Sequence, residues 1–427
     1  MTPLTVLILF FIFFGGEFIF SFTLTILNIN NSLKNKNIIP SFISDFLKQD
    51  KYEKSVDYSL RKEKFSLSTS TLSMLITTVV ILSKFPSLVN DWLSLFNLHP
   101  YTHGIVYLLI LTTLSSIISL PVSLYSQFVI EEEFGFNKMT GMTFAKDLIK
   151  SSILSLILIV PILAALFLFI DKTGSFWWLY AFLFFTVFQL IITVLYPLII
   201  APLFNKFTDL EDGPLKERLF KLADITSFKA KGIYVMDGSR RSSHSNAYFT
   251  GFGRSRRIVL YDTLINSLSE EEIEGVLAHE IGHFKKKHII KSMLSSLVMA
   301  LIFFYLLSVL QNYEPLFLAF GFKEPALHSL IVILSFALGP FTFFLKPLFT
   351  IKSRKNEYEA DRFAVELIKS PEPLINALIT LGKENLSNLT PHPLYSFFHY
   401  SHPVLSERIE AMKKEGRREE GDRRPET

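Results

Sequence analysis

Leu277-Ala-His-Glu-Ile-Gly-His-Phe284 is the stretch on which the reading of this chain turns. His279 and His283 stand four residues apart, so on a helix both imidazoles leave one face about a turn apart and can reach one metal ion. Glu280, beside the first, is placed to take a proton from an attacking water. The flanks supply the helix: Ser269 with Glu272 three residues on reads as a capping box, and Ile273, Val276, Leu277, Ile281 and Phe284 keep helical spacing. The pattern is that of a zinc protease site, one Zn2+ per chain, still short of its third ligand.

That ligand is sought in Ser353-Arg-Lys-Asn-Glu-Tyr-Glu-Ala-Asp-Arg-Phe-Ala364. Glu357 and Asp361 are again four apart, so one helical face offers Glu357 to the metal and, a turn on, Asp361 to accept a hydrogen bond from a ligand histidine, while Glu359 points elsewhere. A solvated helix whose acids pair with Arg354, Lys355 and Arg362 fits the same residues. An H-E-x-x-H-x-x-G-x-x-H site does not: Lys286 stands where Gly is required, Ile289 where His is required, and His288 is one residue out of register.

Around the motif the chain reads as an integral membrane protein. Of its 427 residues 49% are hydrophobic and 43 are Phe, far from an ordinary soluble domain, and seven apolar runs are long enough to span. They are Leu4 to Leu27, Leu67 to Phe85, Ile105 to Tyr125, Ile149 to Ile170, Phe176 to Ile200, Ile289 to Leu310 and Leu327 to Phe349. Glu17 and Lys346 fall inside the first and last, where an ionisable group faces a bundle interior or a watery cavity, although Lys346 also has the length to snorkel. The first run has no preceding Lys or Arg and no A-x-A-like site, so it reads as a retained anchor. Asn28 to Ser66 carries eight Lys and Arg, Pro86 to Gly104 none, and the loop after Ile170 only Lys172. The positive-inside rule and alternation then put the histidine motif on the cytoplasmic side, in a bacterial inner membrane or the eukaryotic endoplasmic reticulum. The lack of Cys agrees with a reducing side.

The chain divides into five parts. Residues 1–204 hold spans one to five with cytoplasmic loops 28–66 and 126–148, the first too poor in apolar residues for a core of its own. Residues 205–288 form a soluble protease domain ending in the zinc helix, 289–350 spans six and seven, 351–412 a C-terminal catalytic part with the third ligand, and 413–427 a disordered tail. In the soluble domain Gly232–Met236 and Arg257–Tyr261 read as strands joined through Asn246-Ala-Tyr-Phe-Thr250, with a turn at 251–253. Asn246, Ala247, Tyr248 and Phe249 could hold an extended peptide by its backbone; they also fit a plain core strand. His402, in Tyr400-Ser-His-Pro, and Arg408 are candidate donors to a developing oxyanion, though His402-Pro403 could equally be a turn. No phosphate loop or nucleic-acid motif is present, and oligomeric state leaves no trace.

Glu131-Glu-Glu-Phe-Gly-Phe-Asn137, Ile200-Ala-Pro-Leu-Phe-Asn205, the run Met236 to Gly251, the H-E-I-G-H motif, Glu357-Tyr-Glu-Ala-Asp361 and His402-Pro403 together resemble the CAAX prenyl protease 1 family of membrane zinc endopeptidases. The resemblance covers the third span to Arg408. It implies a mainly α membrane fold, with seven transmembrane helices around a large chamber and a small α+β, gluzincin-like protease domain. It also implies zinc on His279, His283 and Glu357, Glu280 as base, Asp361 behind the ligands, His402 as transition-state donor and the Asn246 segment as the substrate strand. The implied substrates are prenylated proteins that lose their last three residues. A general quality-control zinc protease of the heat-shock type is the alternative, and a non-catalytic channel or transporter, which would leave the metal-spaced helices idle, the remote one.

Overall fold

The computed structural model describes residues 1–228, 231–250 and 256–422. Among them six helices are long and apolar enough to cross a membrane: Pro3–Asn35, Gln49–Leu82, Pro100–Glu133, Gly141–Lys172, Gly174–Phe204 and His288–Leu310. Only 6 to 17% of the residues in their most apolar stretches are buried inside the protein, so much of their apolar surface is left for lipid to cover. The expected span Leu327 to Phe349 is not one rod. Leu327–Phe343 and Lys346–Ile368 meet at a bend of 60°. Helices tend to stop before a residue that precedes proline, and Pro347 suits the first turn of a new one. Lys346 opens the second helix, donates to His399 Nδ1 at 3.2 Å and interacts with the charge of Glu17.

The apolar helices follow one another in single file. Gln49–Leu82 lies against Pro3–Asn35, which meets Leu327–Phe343; Pro100–Tyr125, Gly141–Lys172, Trp177–Leu195 and His288–Leu310 continue the series. Two of them do not stop at the membrane. Pro3–Asn35 and Gln49–Leu82 run into the soluble layer, so the expected loop 28–66 is mostly helix. Tyr52, Val56 and Leu60, spaced by four among lysines, bury a narrow stripe in the soluble core together with Ile43 and Leu47.

That core is built on a four-stranded sheet ordered β1-β2-β4-β3, with β1 Phe207–Asp209, β2 Gly232–Met236, β3 Ala247–Thr250 and β4 Arg257–Tyr261. β2 and β4 pair in parallel, Ile233 opposite Ile258, and β3 lies antiparallel on the edge, Ala247 opposite Leu260. Ile233, Ile258 and Leu260 join Ile273, Leu277 and Ile281 of the motif helix Glu270–Lys285 in one buried cluster. The two strands read from the sequence are present; β1, three residues long, was not anticipated, and the turn expected at 251–253 lies outside the described residues. The tail expected to be disordered is helical as far as Asp422, within Leu405–Asp422. Met412 is buried there and Glu415 pairs with Arg362 at 3.4 Å, while 423–427 lie outside the described residues.

Candidate active site

The motif helix starts at the expected capping box: Ser269 Oγ accepts from Glu272 N, and Glu272 Oε2 accepts from Ser269 N at 2.8 Å. Its middle is pressed between two other helices. At Gly275 the backbone of Leu374 comes close, and at Gly282 that of Ala360, so glycine at both positions lets backbones approach where a Cβ would collide. Gly282 thereby brings the helix Lys346–Ile368 across the histidines, and the ligating atoms of His279, His283 and Glu357 all lie within 4.8 Å of one another. His279 Nε2 is 3.1 Å from His283 Nε2; Glu357 stands 3.4 Å from the first imidazole and 3.3 Å from the second. Glu357 Oε2 is buried and has no hydrogen-bond partner, the state of an oxygen that a cation would satisfy. Two imidazoles and one carboxylate, converging and partly orphaned, fit a catalytic zinc with its open position.

Behind this group Asp361 Oδ1 is 2.9 Å from His279 Nδ1, which leaves Nε2 for the metal. Arg408, expected as a second oxyanion donor, is occupied otherwise: it is buried, and its Nε and Nη2 donate to Asp361 at 2.8 and 2.6 Å. It anchors Asp361 and stands 3.7 Å from Glu357. His402 is different. Its side chain is 63% exposed, with Nε2 3.5 Å from Glu357 Oε1, so it borders the metal group on the open side. Burial raises the Glu280 carboxyl above its ordinary range, against the pull of His279 and His283, a direction that favours acceptance of a proton.

Ala247, Tyr248 and Phe249 of β3 line a small cavity with Val276, Leu277 and Glu280, so the edge strand runs beside the carboxylate. Asn246 accepts from Ala247 N through its side chain and from Tyr261 N through its carbonyl, fixing the start of β3. Phe249 turns inward onto Phe228 and Phe284, so that residue combines the two readings left open by the sequence, a core side chain on an edge backbone.

One pair escaped the sequence reading. His288 is buried, its Nδ1 2.9 Å from His283 Nδ1 and its Nε2 3.1 Å from Glu359 Oε2, so His283 is backed by a histidine and a carboxylate much as His279 is backed by Asp361 and Arg408. The chain reverses at Lys287, whose φ of 59° breaks the helix and folds His288 back, and residue spacing carries no signal of it.

A family model described as CAAX prenyl protease N-terminal, five membrane helices, matches residues 28–206, and peptidase family M48 matches 209–416. The chain is 40% identical to the CAAX prenyl protease 1 homolog of Arabidopsis thaliana (89% of this chain, 91% of that one). It is 38% identical to CAAX prenyl protease 1 of Saccharomyces cerevisiae (88% of each) and 34% identical to the Homo sapiens homolog (94% and 95%). Among solved structures, the crystal structure of S. mikatae Ste24p superposes with a TM-score of 0.90 at 35% identity, covering 95% of this chain and 99% of the other. With its two halves matched in order, its fold shared along nearly the whole length and its histidine and glutamate groups converging, the chain belongs to the CAAX prenyl protease 1 family of M48 metallopeptidases.

Proposed function

We propose that this chain is a multi-pass membrane zinc endopeptidase that removes the last three residues of prenylated CAAX proteins. The observation that carries the reading is the convergence of His279, His283 and Glu357 beside Glu280 and the free edge of β3. His279, His283 and Glu357 hold the zinc, which when bound polarises the substrate carbonyl and lowers the pKa of a water. Glu280 takes the proton from the attacking water and returns it to the leaving amine. His402, open to the cleft, donates to the oxyanion as it forms. Asp361, gripped by Arg408, keeps His279 in the tautomer whose Nε2 is available. Asn246, Ala247, Tyr248 and Phe249 receive the peptide as a further strand, by backbone rather than side chain.

Seven spans around a chamber fit the single-file order of the helices, with the bent pair counted as the seventh. Support for an enclosed space among the spans comes from a cavity of about 790 Å³ between Gln49–Leu82, Pro100–Tyr125 and Leu327–Phe343, whose wall mixes hydroxyls such as Ser70, Thr77 and Ser115 with apolar side chains such as Leu108, Leu111 and Ile331. The charge asymmetry of the loops favours a cytoplasmic site, and the eukaryotic relatives favour the endoplasmic reticulum.

A farnesyl chain adds about 0.8 kcal/mol for each CH₂ it buries. A farnesylated peptide should therefore be cleaved three residues from its end with a KM at least about tenfold below that of its bare counterpart. Equal kinetics for the two would leave a general membrane endopeptidase instead.

A further inference from the structure

An extended peptide added to a sheet edge pairs most stably in the antiparallel sense. β3 runs from Ala247 to Thr250 with β4 on its other side, so a peptide on its free edge runs the opposite way. Its upstream part, where a lipid would sit, passes Thr250; its C-terminal end passes Ala247 and then Asn246. There it meets a cavity of about 740 Å³ that Asn246 shares with His244, His402 and Arg408, and that reaches Tyr58 and Lys62 on the helix Gln49–Leu82. Three extended residues span roughly 10 Å. A departing tripeptide thus has a container, and its free carboxylate needs a counter-charge.

The basic side chains on this wall are not equivalent. Arg408 is held twice by Asp361. His244 lies 3.2 Å from both Glu131 Oε2 and Asn385 Oδ1 and stacks on Phe136 at 3.9 Å. Lys62 donates to the Tyr58 hydroxyl at 3.2 Å and is 4.0 Å from Glu131, whose Oε1 already accepts from Tyr58 at 2.8 Å. The other wall carboxylate, Glu63, accepts from Tyr395 and Asn28. Lys62 therefore keeps N–H donors for the cavity on a side chain that is 53% exposed.

On the C-terminal peptidase reading above, we propose that Lys62 receives the free carboxylate of the departing tripeptide, with Tyr58 and Glu131 steering its ammonium, and so measures three residues from the cut. A charge-assisted contact of this kind is worth about tenfold or more in binding.

The test uses the purified full chain with zinc and two farnesylated peptides that differ only at the end, a free acid or a carboxamide. The wild type should favour the acid by about tenfold or more in kcat/KM, chiefly through KM. Lys62→Ala, checked for zinc content and melting temperature, should bring that ratio to within about twofold, and Lys62→Arg should restore it. Equal cleavage of acid and amide by the wild type, or an acid preference undiminished in Lys62→Ala, overturns the assignment and leaves the peptidase reading intact. Cleavage of neither peptide by the wild type defeats the C-terminal reading and the assignment with it.

Discussion

Gly282→Ala tests whether the metal group depends on how closely two helices cross. A Cβ at Gly282 would stand 3.0 Å from both Cα and O of Ala360 and 3.3 Å from its Cβ, where ordinary contact begins near 3.4 Å, so the helices must part by about 0.4 Å, the difference. All three opposing atoms, the Cβ included, are fixed by the Ala360 backbone and cannot rotate away. Ala360 lies between Glu357 and Asp361 on the same helix, so both carboxylates move with it. Metal–ligand distances hold within about 0.2 Å, and a 1 Å misplacement at a reacting centre costs about a hundredfold. Zinc affinity and kcat should therefore each fall about tenfold, for an overpacking cost of about 1–3 kcal/mol that leaves the protein folded. Gly275→Ala is the control. Its Cβ meets Leu374 N at 2.8 Å and Pro373 C at 2.9 Å, on the helix Glu372–Glu384, which bears no metal-facing residue. Chelator competition and thermal melting should show both variants destabilised and only Gly282→Ala short of zinc. Wild-type zinc affinity in Gly282→Ala, or equal zinc loss in the two, would refute the coupling.

Other changes separate the remaining roles. Glu280→Gln should abolish hydrolysis with zinc content unchanged, because an amide cannot accept the proton; loss of metal in that variant would make Glu280 a ligand. Glu357→Ala should release zinc, whereas Asp361→Ala should weaken it about 10 to 100-fold and, by removing both close hydrogen bonds of buried Arg408 and leaving it only the Glu357 contact at 3.7 Å, lower the melting temperature. In the metal-free site burial opposes a charge on His279, but Asp361 and Glu357 outweigh it and hold the imidazole at about 9. Zinc needs the neutral ring, so its conditional affinity should rise about tenfold per pH unit up to that value and level off above it; a flat profile between neutrality and there would contradict a charged His279. Cysteines placed at Ser94 and Thr173 should react with an impermeant reagent from outside, and one at Ser243 should not, against a background with no native Cys.

What could be read without a structure was what a short period writes into neighbouring residues. The H-E-I-G-H helix and the Glu357/Asp361 face follow from spacing four, the capping box from spacing three, and strands β2 and β4 from compact β-branched runs. What escaped depends on residues distant in the chain. The histidine behind His283 is found only once Lys287 has folded the backbone back and Glu359 has come from another helix. Gly282 reads as an unremarkable x in H-E-x-x-H until Ala360 is seen against it. Arg408 looked free because its partner Asp361 lies 47 positions away in sequence.

The bend in the last apolar run has the largest consequence for the site. An apolar run that reaches Phe349 hides the boundary at Pro347, because hydropathy averages over the residue that ends one helix and starts the next. From Phe343 to Glu357 a helix climbs about 21 Å at about 1.5 Å per residue. Turning that length through 60° carries its end about 20 Å from where a straight rod would have left it. Without the bend Glu357 and Asp361 would continue along the axis of Leu327–Phe343; with it, their face lies across His279 and His283. One proline at the end of a membrane helix thus helps decide whether a soluble motif acquires its third ligand, and a metallopeptidase built this way cannot be divided into a membrane part and a catalytic part without losing the site.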